Sequence, residues 1–386
     1  MECSSYYLTV ICVKRFVCFL VILSLSVCSL CLNASALSVS AVSAVLYCPD
    51  NKAIYYSKNE NKVIAPASTT KIMTALLTLE YAEKNNKRVK FTEEMTAEGS
   101  SMYLKIGDVV TLRDLAAGIL LCSGNDAANA SAISIAGSKE KFAELMTERA
   151  HKIGMKNTNF VTPSGLDDDK HYTTAYDMAL LMGEALKNSD FRNLNSKKTE
   201  TVKFIKPDNK ITTYSNHNRL LSTYGYCIGG KTGYTSKAGR CLVTAAEKDG
   251  LTLIAVTMND KNDWSDHTAM YNYGFENYRM RELDDSDFYL DVDTVGGKSD
   301  KTTVAGNGVS SVVVKASDFT RIKRHIYMDN FLYAPLKKGD IVGKIVYTLN
   351  GKKTAVHKLS VVMDNNSEKE NKSIWDSIKG FFNNAF

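Results

Sequence analysis

Cysteine is scarce wherever this chain can build a core. Of nine cysteines in 386 residues, Cys3, Cys12, Cys18, Cys28 and Cys31 crowd the first 31 positions, leaving Cys48, Cys122, Cys227 and Cys241 for the remainder. Those four form no C-x-x-C pair and are too sparse to staple a domain, which argues against a structural zinc site and a disulfide-dependent fold. Buried free thiols are the expectation, since no Cys/His signature marks Cys122 or Cys227 as a nucleophile. A dominant charge is also missing: 48 Lys and Arg stand against 42 Asp and Glu, a net charge of +6. Basic residues are not massed with interleaved aromatics, so no nucleic-acid partner is expected. The mild excess, +5 without Glu2, Lys14 and Arg15, suits an anionic wall or lipid surface and is equally ordinary for a soluble enzyme. Disorder is excluded by 44% hydrophobic and 23% charged content.

Toward the N-terminus, Lys14 and Arg15 precede an apolar run from Phe16 to Leu32, followed by Ala34-Ser35-Ala36 and Val42-Ser43-Ala44. The pattern reads as a secretory signal peptide over residues 1–44, cleaved after Ala36 or Ala44; a retained transmembrane anchor is the alternative. A lipoprotein signal fits poorly, because Val27 and Leu30 precede Cys28 and Cys31 where a small residue is wanted.

Beyond the leader, strand-like runs at 44–48 and 53–57 flank the turn residues Pro49-Asp50-Asn51-Lys52 and predict a hairpin. Helical patterns follow at 69–82, 112–122, 126–136, 139–153 and 174–187, the first apolar on most faces and therefore buried. Strand character returns at 199–205 and 210–214 and strengthens at 242–246 and 253–258. Strands at both ends with helices between imply an α/β domain over 45–282 whose terminal strands share one antiparallel sheet. Short β-rich runs with glycine turns predict a separate all-β module over 283–363, then a polar linker over 364–373. In residues 374–386, Ile374, Trp375, Ile378, Phe381 and Phe382 fall on one face of a helix too short to span a bilayer. In-plane membrane anchoring is the reading preferred over docking on the protein core.

Three motifs carry chemistry: Ser68-Thr69-Thr70-Lys71, Ser123-Gly124-Asn125 and Lys231-Thr232-Gly233. A lone S-x-x-K says little, because Ser138-Lys139-Glu140-Lys141 matches it too. The ordered set is specific, with 55 residues from the first serine to the second and 108 more to Lys231. Ser68 and Lys71, three apart, share a helix face, so the amine can take the hydroxyl proton; the plain alternative is a serine N-cap. Lys71 must be neutral to act as base, which burial and a nearby cation such as Lys231 both favour. Ser123 and Asn125 can bridge the two amines and orient a substrate amide, or simply form a capped turn. Lys231-Thr232-Gly233 is read as preceding a strand, its glycine admitting a substrate backbone.

These motifs in their settings, from Pro66 to Thr74, Ser123 to Ala127 and Lys231 to Thr235, resemble the low-molecular-mass penicillin-binding proteins that are D-alanyl-D-alanine carboxypeptidases. The resemblance extends to Thr162-Pro163-Ser164-Gly165-Leu166, to the run from His171 to Asp177, to Ala334-Pro335-Leu336-Lys337-Lys338-Gly339 and to the tail. It implies a penicillin-binding-protein-like catalytic domain, a small β domain and a peripheral anchor on the outer face of the cytoplasmic membrane. It further implies Ser68 as acyl-ester nucleophile, Lys71 as general base, Ser123 as proton relay and Asn125 for orientation. Lys231, Thr232 and Gly233 would bind substrate, and Ser68 N–H with Tyr234 N–H would form the oxyanion hole. Peptidoglycan stem peptides are the implied substrate and β-lactams the covalent inhibitors, with no metal or cofactor. The chain departs from the family in carrying Ser164 where histidine is frequent and Arg240 where an aromatic residue is frequent nearby. His217, in Asn216-His217-Asn218, is expected at a rim rather than in a Ser/His triad. The rivals are a DD-endopeptidase, a serine β-lactamase and an idle wall-binding protein. A β-lactamase of this type adds a deacylating glutamate, and Phe191 stands at the nearest match.

Overall fold

Alternating and β-branched runs at the two ends of the catalytic region meet in one sheet. The computed structural model describes residues 37–367, of which 40–367 form one unit. The chain runs β1 (Ser43–Cys48), β2 (Ala53–Lys58), α1 (Lys71–Lys84), β3 (Arg88–Lys90), β4 (Val109–Thr111), α2 (Leu112–Leu121), α3 (Asn125–Ala136) and α4 (Lys139–Ile153). It continues through α5 (Ala175–Ala185), α6 (Ser189–Ser196), β5 (Thr199–Lys203), β6 (Ile211–Ser215), α7 (Leu220–Thr223), β7 (Cys227–Thr235), β8 (Gly239–Lys248), β9 (Leu251–Met258) and α8 (Asp263–Asn277). The five-stranded antiparallel sheet has the order β2-β1-β9-β8-β7, so the first and last strands of the domain lie side by side. β1 and β9 are buried along their whole length.

Local chemistry fixes the helix ends. Thr111 and Asp114 form a capping box at the start of α2. The decoy Ser138 caps α4, its Oγ accepting from Lys141 N at 3.2 Å, so that S-x-x-K is a helix start and nothing more. The apolar α1 buries Ile72, Met73, Leu76 and Leu79 completely and packs centrally among the other helices. Such all-round burial is what a helix without a polar face requires.

Several boundaries differ from expectation. Ser43 and Ala44 belong to β1, paired to Met258 and Thr257, so a break after Ala44 would cut a central strand. β7 contains Lys231-Thr232-Gly233 itself rather than following it. The β module begins earlier than 283: β10 (Tyr278–Asp284) follows α8 directly and pairs with β13 (Val309–Lys315), so a boundary at 282 falls inside a strand. Tyr55 of β2 stacks on Tyr278 with ring centres 3.6 Å apart.

The module's six-stranded sheet has the order β14 (Lys323–Met328), β16 (Ile341–Leu349), β17 (Lys352–Val361), β12 (Lys301–Gly306), β11 (Tyr289–Val295), β15 (Phe331–Tyr333). Asp285, just past β10, locks the β10–β13 ribbon to this sheet. Its buried carboxylate accepts from Arg324 (2.8 Å), Tyr347 (2.8 Å) and His357 Nδ1 (2.6 Å), while His357 Nε2 meets Ser310 Oγ at 2.9 Å. Residues 365 and 367, expected in the linker, are bridged to Leu336 and Gly297. The anchoring segment with Ile374, Trp375, Ile378, Phe381 and Phe382 lies outside the described residues, as does residues 1–36 of the leader.

Candidate active site

Ser68 sits in a 3₁₀ turn over Ala67–Thr70 that runs into α1, so the serine stands one turn above the first helical residue, Lys71. Ala67 takes φ +49°, a left-handed conformation unusual for a residue with a Cβ. Ser123 repeats the device between α2 and α3 with φ +60°. Strain thus lies beside one hydroxyl and on the other, as at many functional sites.

Three elements converge on the Lys71 amine. Its Nζ lies 3.0 Å from Ser68 Oγ and donates to Asn125 Oδ1 (2.7 Å) and to the Ser164 carbonyl (2.6 Å). Burial pushes its pKa well below the ordinary lysine value, and the neighbouring Lys231 charge pushes it further. Lys231, also buried, donates to Ser123 Oγ (3.0 Å) and to the Thr232 carbonyl (2.8 Å). Burial lowers its pKa to about 7.

Asn125 is held at the far side by donating to Glu98 O (2.5 Å) and by its own N–H on Ser100 O (2.8 Å). Asp126 ties down the same loop, accepting from Met102 N (2.8 Å), Leu104 N (3.1 Å) and Ser101 Oγ (2.7 Å). On the third side, β7 is the edge of the sheet, and Gly233 lies against the Ser68 turn. A Cβ there would lie 3.0 Å from Ser68 N and Thr69 N, so any larger residue would have to push the turn away by a few tenths of an ångström. The side-chain amide of Asn195 is oriented to donate to Gly230 O (2.9 Å) and accept from Gly230 N (3.1 Å), which fixes the strand one residue before Lys231.

A cleft of about 570 Å³ opens over Ser68, Ser123 and Thr232, with His217, Arg240 and Trp264 at its walls. Tyr234, two residues beyond Thr232 on β7, also lines it. Arg240 grips the buried Asp263 through two nitrogens at 2.7 to 3.1 Å, a bidentate pair that stiffens the rim. His217 is exposed at the mouth.

Part of the support was invisible to motif reading. The 158–177 segment backs the Ser68 turn: Pro163 O accepts from Thr74 Oγ1 at 2.6 Å, Ser164 O from Lys71, and His171 Nε2 meets Thr70 Oγ1 at 2.8 Å. His171 Nδ1 accepts from Val161 N and Thr162 N, which assigns the proton to Nε2. Burial lowers its pKa to about 4, so the ring stays neutral. Because Ser164 serves Lys71 through its carbonyl, its departure from the family's frequent histidine leaves that contact intact.

Other candidates fall away. Cys48, Cys122, Cys227 and Cys241 are free, and burial raises the pKa of each, to about 11 for Cys122 and Cys241. Phe191 is buried in the core and offers no carboxylate. Among the described residues, no cluster of three His, Cys, Asp or Glu side chains is placed for a metal ion.

The same architecture is found in known proteins. Residues 31–262 match the D-alanyl-D-alanine carboxypeptidase family and residues 278–369 match the C-terminal domain of penicillin-binding protein 5. The chain is 34% identical over 340 residues to the D-alanyl-D-alanine carboxypeptidase DacF of Bacillus subtilis, covering 83% of this chain and 84% of that one. It is 36% identical over 330 residues to DacC of Escherichia coli, covering 80% of each. Penicillin-binding protein 5 of Haemophilus influenzae superposes with a TM-score of 0.65 at 28% identity, over 87% of this chain and 100% of that one. Both halves of the molecule therefore lead to one assignment: the chain belongs to the D-alanyl-D-alanine carboxypeptidase family, the serine DD-carboxypeptidases among the low-molecular-mass penicillin-binding proteins.

Proposed function

We propose that Ser68 is the nucleophile that removes the terminal D-alanine from peptidoglycan stem pentapeptides, and that the protein does this outside the cell, tethered to the membrane by its tail. The observation that carries the reading is the Lys71 amine, 3.0 Å from Ser68 Oγ and depressed in pKa by burial and by Lys231. A neutral amine at that distance is a base within reach of its proton.

Ser68 Oγ forms a bond to the carbonyl carbon between the two D-alanines while its proton passes to Lys71 Nζ. The tetrahedral oxyanion is held by the N–H groups of Ser68 and Tyr234, and Lys231 with Thr232 receives the terminal carboxylate. Asn125 orients the substrate amide. Collapse breaks the C–N bond, and the proton held on Lys71 Nζ passes to the leaving amine through Ser123, whose hydroxyl is held by Lys231, leaving Lys71 neutral again. Water, deprotonated by Lys71, then cleaves the Ser68 ester and returns the proton to the serine. β-Lactams acylate the same oxygen, and the apolar Phe191 leaves their adduct without a glutamate to speed its release.

The test is to incubate the purified protein with a pentapeptide ending in two D-alanines and with a crosslinked peptide dimer. Free D-alanine from the first is expected. Cleavage of only the second would make the protein an endopeptidase, and no product from either would make it a binding protein.

Export is supported by the basic and apolar leader. Cleavage after Ala36 preserves both β1 and Ser40, whose hydroxyl bonds Asp260 (2.6 Å) and Asp266 (2.8 Å). No helix among the described residues is long and apolar enough to cross a membrane. The apolar face of Ile374, Trp375, Ile378, Phe381 and Phe382 supports attachment in the plane of the outer leaflet instead.

A pH profile follows. Lys71 must be neutral, so kcat/KM rises as pH climbs through its depressed pKa. Lys231 must be charged to hold a carboxylate, so kcat/KM falls as pH passes about 7 in the free enzyme. Rates measured from about pH 5 to 10 should trace a bell whose upper limb lies far below the ordinary lysine pKa of about 10.4. A plateau persisting to the top of that range would remove Lys231 from the carboxylate site.

A further inference from the structure

The β module ends in an apolar tip where the described chain leaves it. β15 pairs in parallel with β11, matching Asp293 to Phe331 and Val295 to Tyr333. Residues matched in this way share a face, and the alternate pair, Thr294 and Leu332, is buried. Phe331 (45% exposed), Tyr333 (65%) and Val295 (52%) therefore form one solvent-facing cluster, with the two rings 5.5 Å apart. β15 is also an edge strand, and an uncovered apolar edge is a surface for a partner.

Three backbone segments are tied together at this tip. Ala334 N donates to Val295 O, Lys298 N to Asn366 O, and Asn365 N to Leu336 O. Ser367 is bridged to Gly297, two residues from Val295. Met363, 72% exposed, lies in the same returning segment, next to Asp364, whose carboxylate accepts from Lys338 N. The exposed ammonium groups of Lys298, Lys337 and Lys338 have no hydrogen-bond or ion-pair partner among the described residues. Carboxylates also stand nearby: Asp340 and Asp364, each bonded to a backbone N–H of the lysine loop, Asp293, two residues before Val295, Asp329, two residues before Phe331, and Asp300, two residues after Lys298.

We infer that this tip, Val295, Phe331, Tyr333 and Met363 rimmed by Lys298, Lys337 and Lys338, is a second membrane contact that enters the lipid interface beside the tail. Reach argues for lipid as the occupant. Only residues 368–373 separate Ser367 from Ile374, seven chain steps that span at most about 25 Å. A tail lying in the interface therefore keeps Ser367, and the tip beside it, within about 25 Å of the headgroup layer, close enough for the tip to enter it. Tyrosine and phenylalanine with flanking lysines are the side chains that suit that layer, where rings sit at headgroup level and ammonium groups reach outward. Two contacts joined by a short linker act with a high effective concentration, converting a weak tail into a firm attachment and fixing the module's orientation.

The proposal rests on the tethering read from the tail, and the experiment separates the two. Partition of the full mature chain onto vesicles of three parts phosphatidylcholine to one part phosphatidylglycerol is measured by flotation, for the wild type, for Phe331→Ser/Tyr333→Ser and for Trp375→Ser/Phe382→Ser. Penicillin labelling of Ser68 serves as the check on folding. Loss of two interfacial aromatic rings should weaken partition about tenfold or more in each double variant. Wild-type partition by the tip variant with loss in the tail variant would overturn the proposal and leave the tail reading standing. Loss in the tip variant alone would sustain the tip and overturn the tail. Hydrogen exchange on the wild type needs no variant: amides of 331–339 should slow only when vesicles are added. Slow exchange without vesicles, released by Trp375→Ser/Phe382→Ser, would show that the tail covers the tip and would overturn the inference, as would slowing that follows self-association.

Discussion

Lys71→Met should lower the rate of Ser68 acylation by a labelled penicillin about 10⁴-fold, the upper end of what a positioned base supplies. The side chain keeps its length and its place in an apolar helix, so the loss is chemical. Two acceptors, Asn125 Oδ1 and Ser164 O, lose their donor. That costs about 1 to 3 kcal/mol each, against which stands relief from burying an amine. Thermal unfolding should therefore move far less than the rate. The sign of its pH dependence is informative. Lys71 and Lys231 have native pKa values below their unfolded ones, so between those values the unfolded chain binds protons that the native chain does not. Wild-type stability accordingly gains from these groups as pH rises from about 7 toward about 10, and Lys71→Met flattens part of that slope. Acylation within tenfold of wild type would show that another group takes the serine proton.

Gly165→Ala should be nearly as damaging without touching a reacting atom. Gly165 has φ +80°, and a Cβ on it would lie 1.9 Å from Ala67 O, 2.6 Å from Ala67 C and 2.7 Å from Thr70 Oγ1. The first two obstacles are backbone, so the Ser68 turn must move by an ångström or more. The left-handed conformation alone costs an alanine about 1 to 2 kcal/mol. Displacing the turn should take the total past about 3 kcal/mol, with acylation down about a hundredfold from misplacement of the nucleophile. Gly137 supplies the control: it caps α3 with φ +83° and open space around it. Gly137→Ala should cost about 1 to 2 kcal/mol, the left-handed conformation alone, and leave acylation unchanged. Equal effects of the two substitutions in thermal melts and labelling would discard the steric explanation.

What could be read from the sequence follows from how far each interaction reaches along the chain. The three motifs were visible because each packs its chemistry into three or four consecutive side chains. The Ser164 carbonyl, Gly165 and His171 were not assigned roles, because they act on Thr70, Lys71 and Ala67 across about a hundred residues and partly through backbone atoms. Lys231-Thr232-Gly233 read as preceding a strand rather than lying in one, because the glycines of Cys227–Thr235 weaken the strand pattern. Those glycines let the strand approach the Ser68 turn and the Asn195 amide. α8 escaped notice for another reason. Its buried face, His267, Met270, Tyr271, Gly274 and Phe275, has helical spacing, but polar and aromatic residues disguise it. His267 is buried only because Thr244 and Thr257 hydroxyls meet its two nitrogens at 2.6 and 3.1 Å. Around Ala36 and Ala44 the local pattern reads alike, and only the distant pairing of Ala44 with Thr257 shows that Ala44 lies within a strand.

The neighbour relation of β1 and β9 also sets a timetable. β1 occupies an inner position of the sheet from residue 43 onward, yet its second partner ends at Met258. Contacts separated by some two hundred residues form slowly, since the loop between them must close first. The Ser68 turn is likewise incomplete until β7 arrives as its wall. A chain still being made therefore carries Ser68 and Lys71 without an assembled centre, and covalent capture of penicillin becomes a clock for closure of the whole sheet.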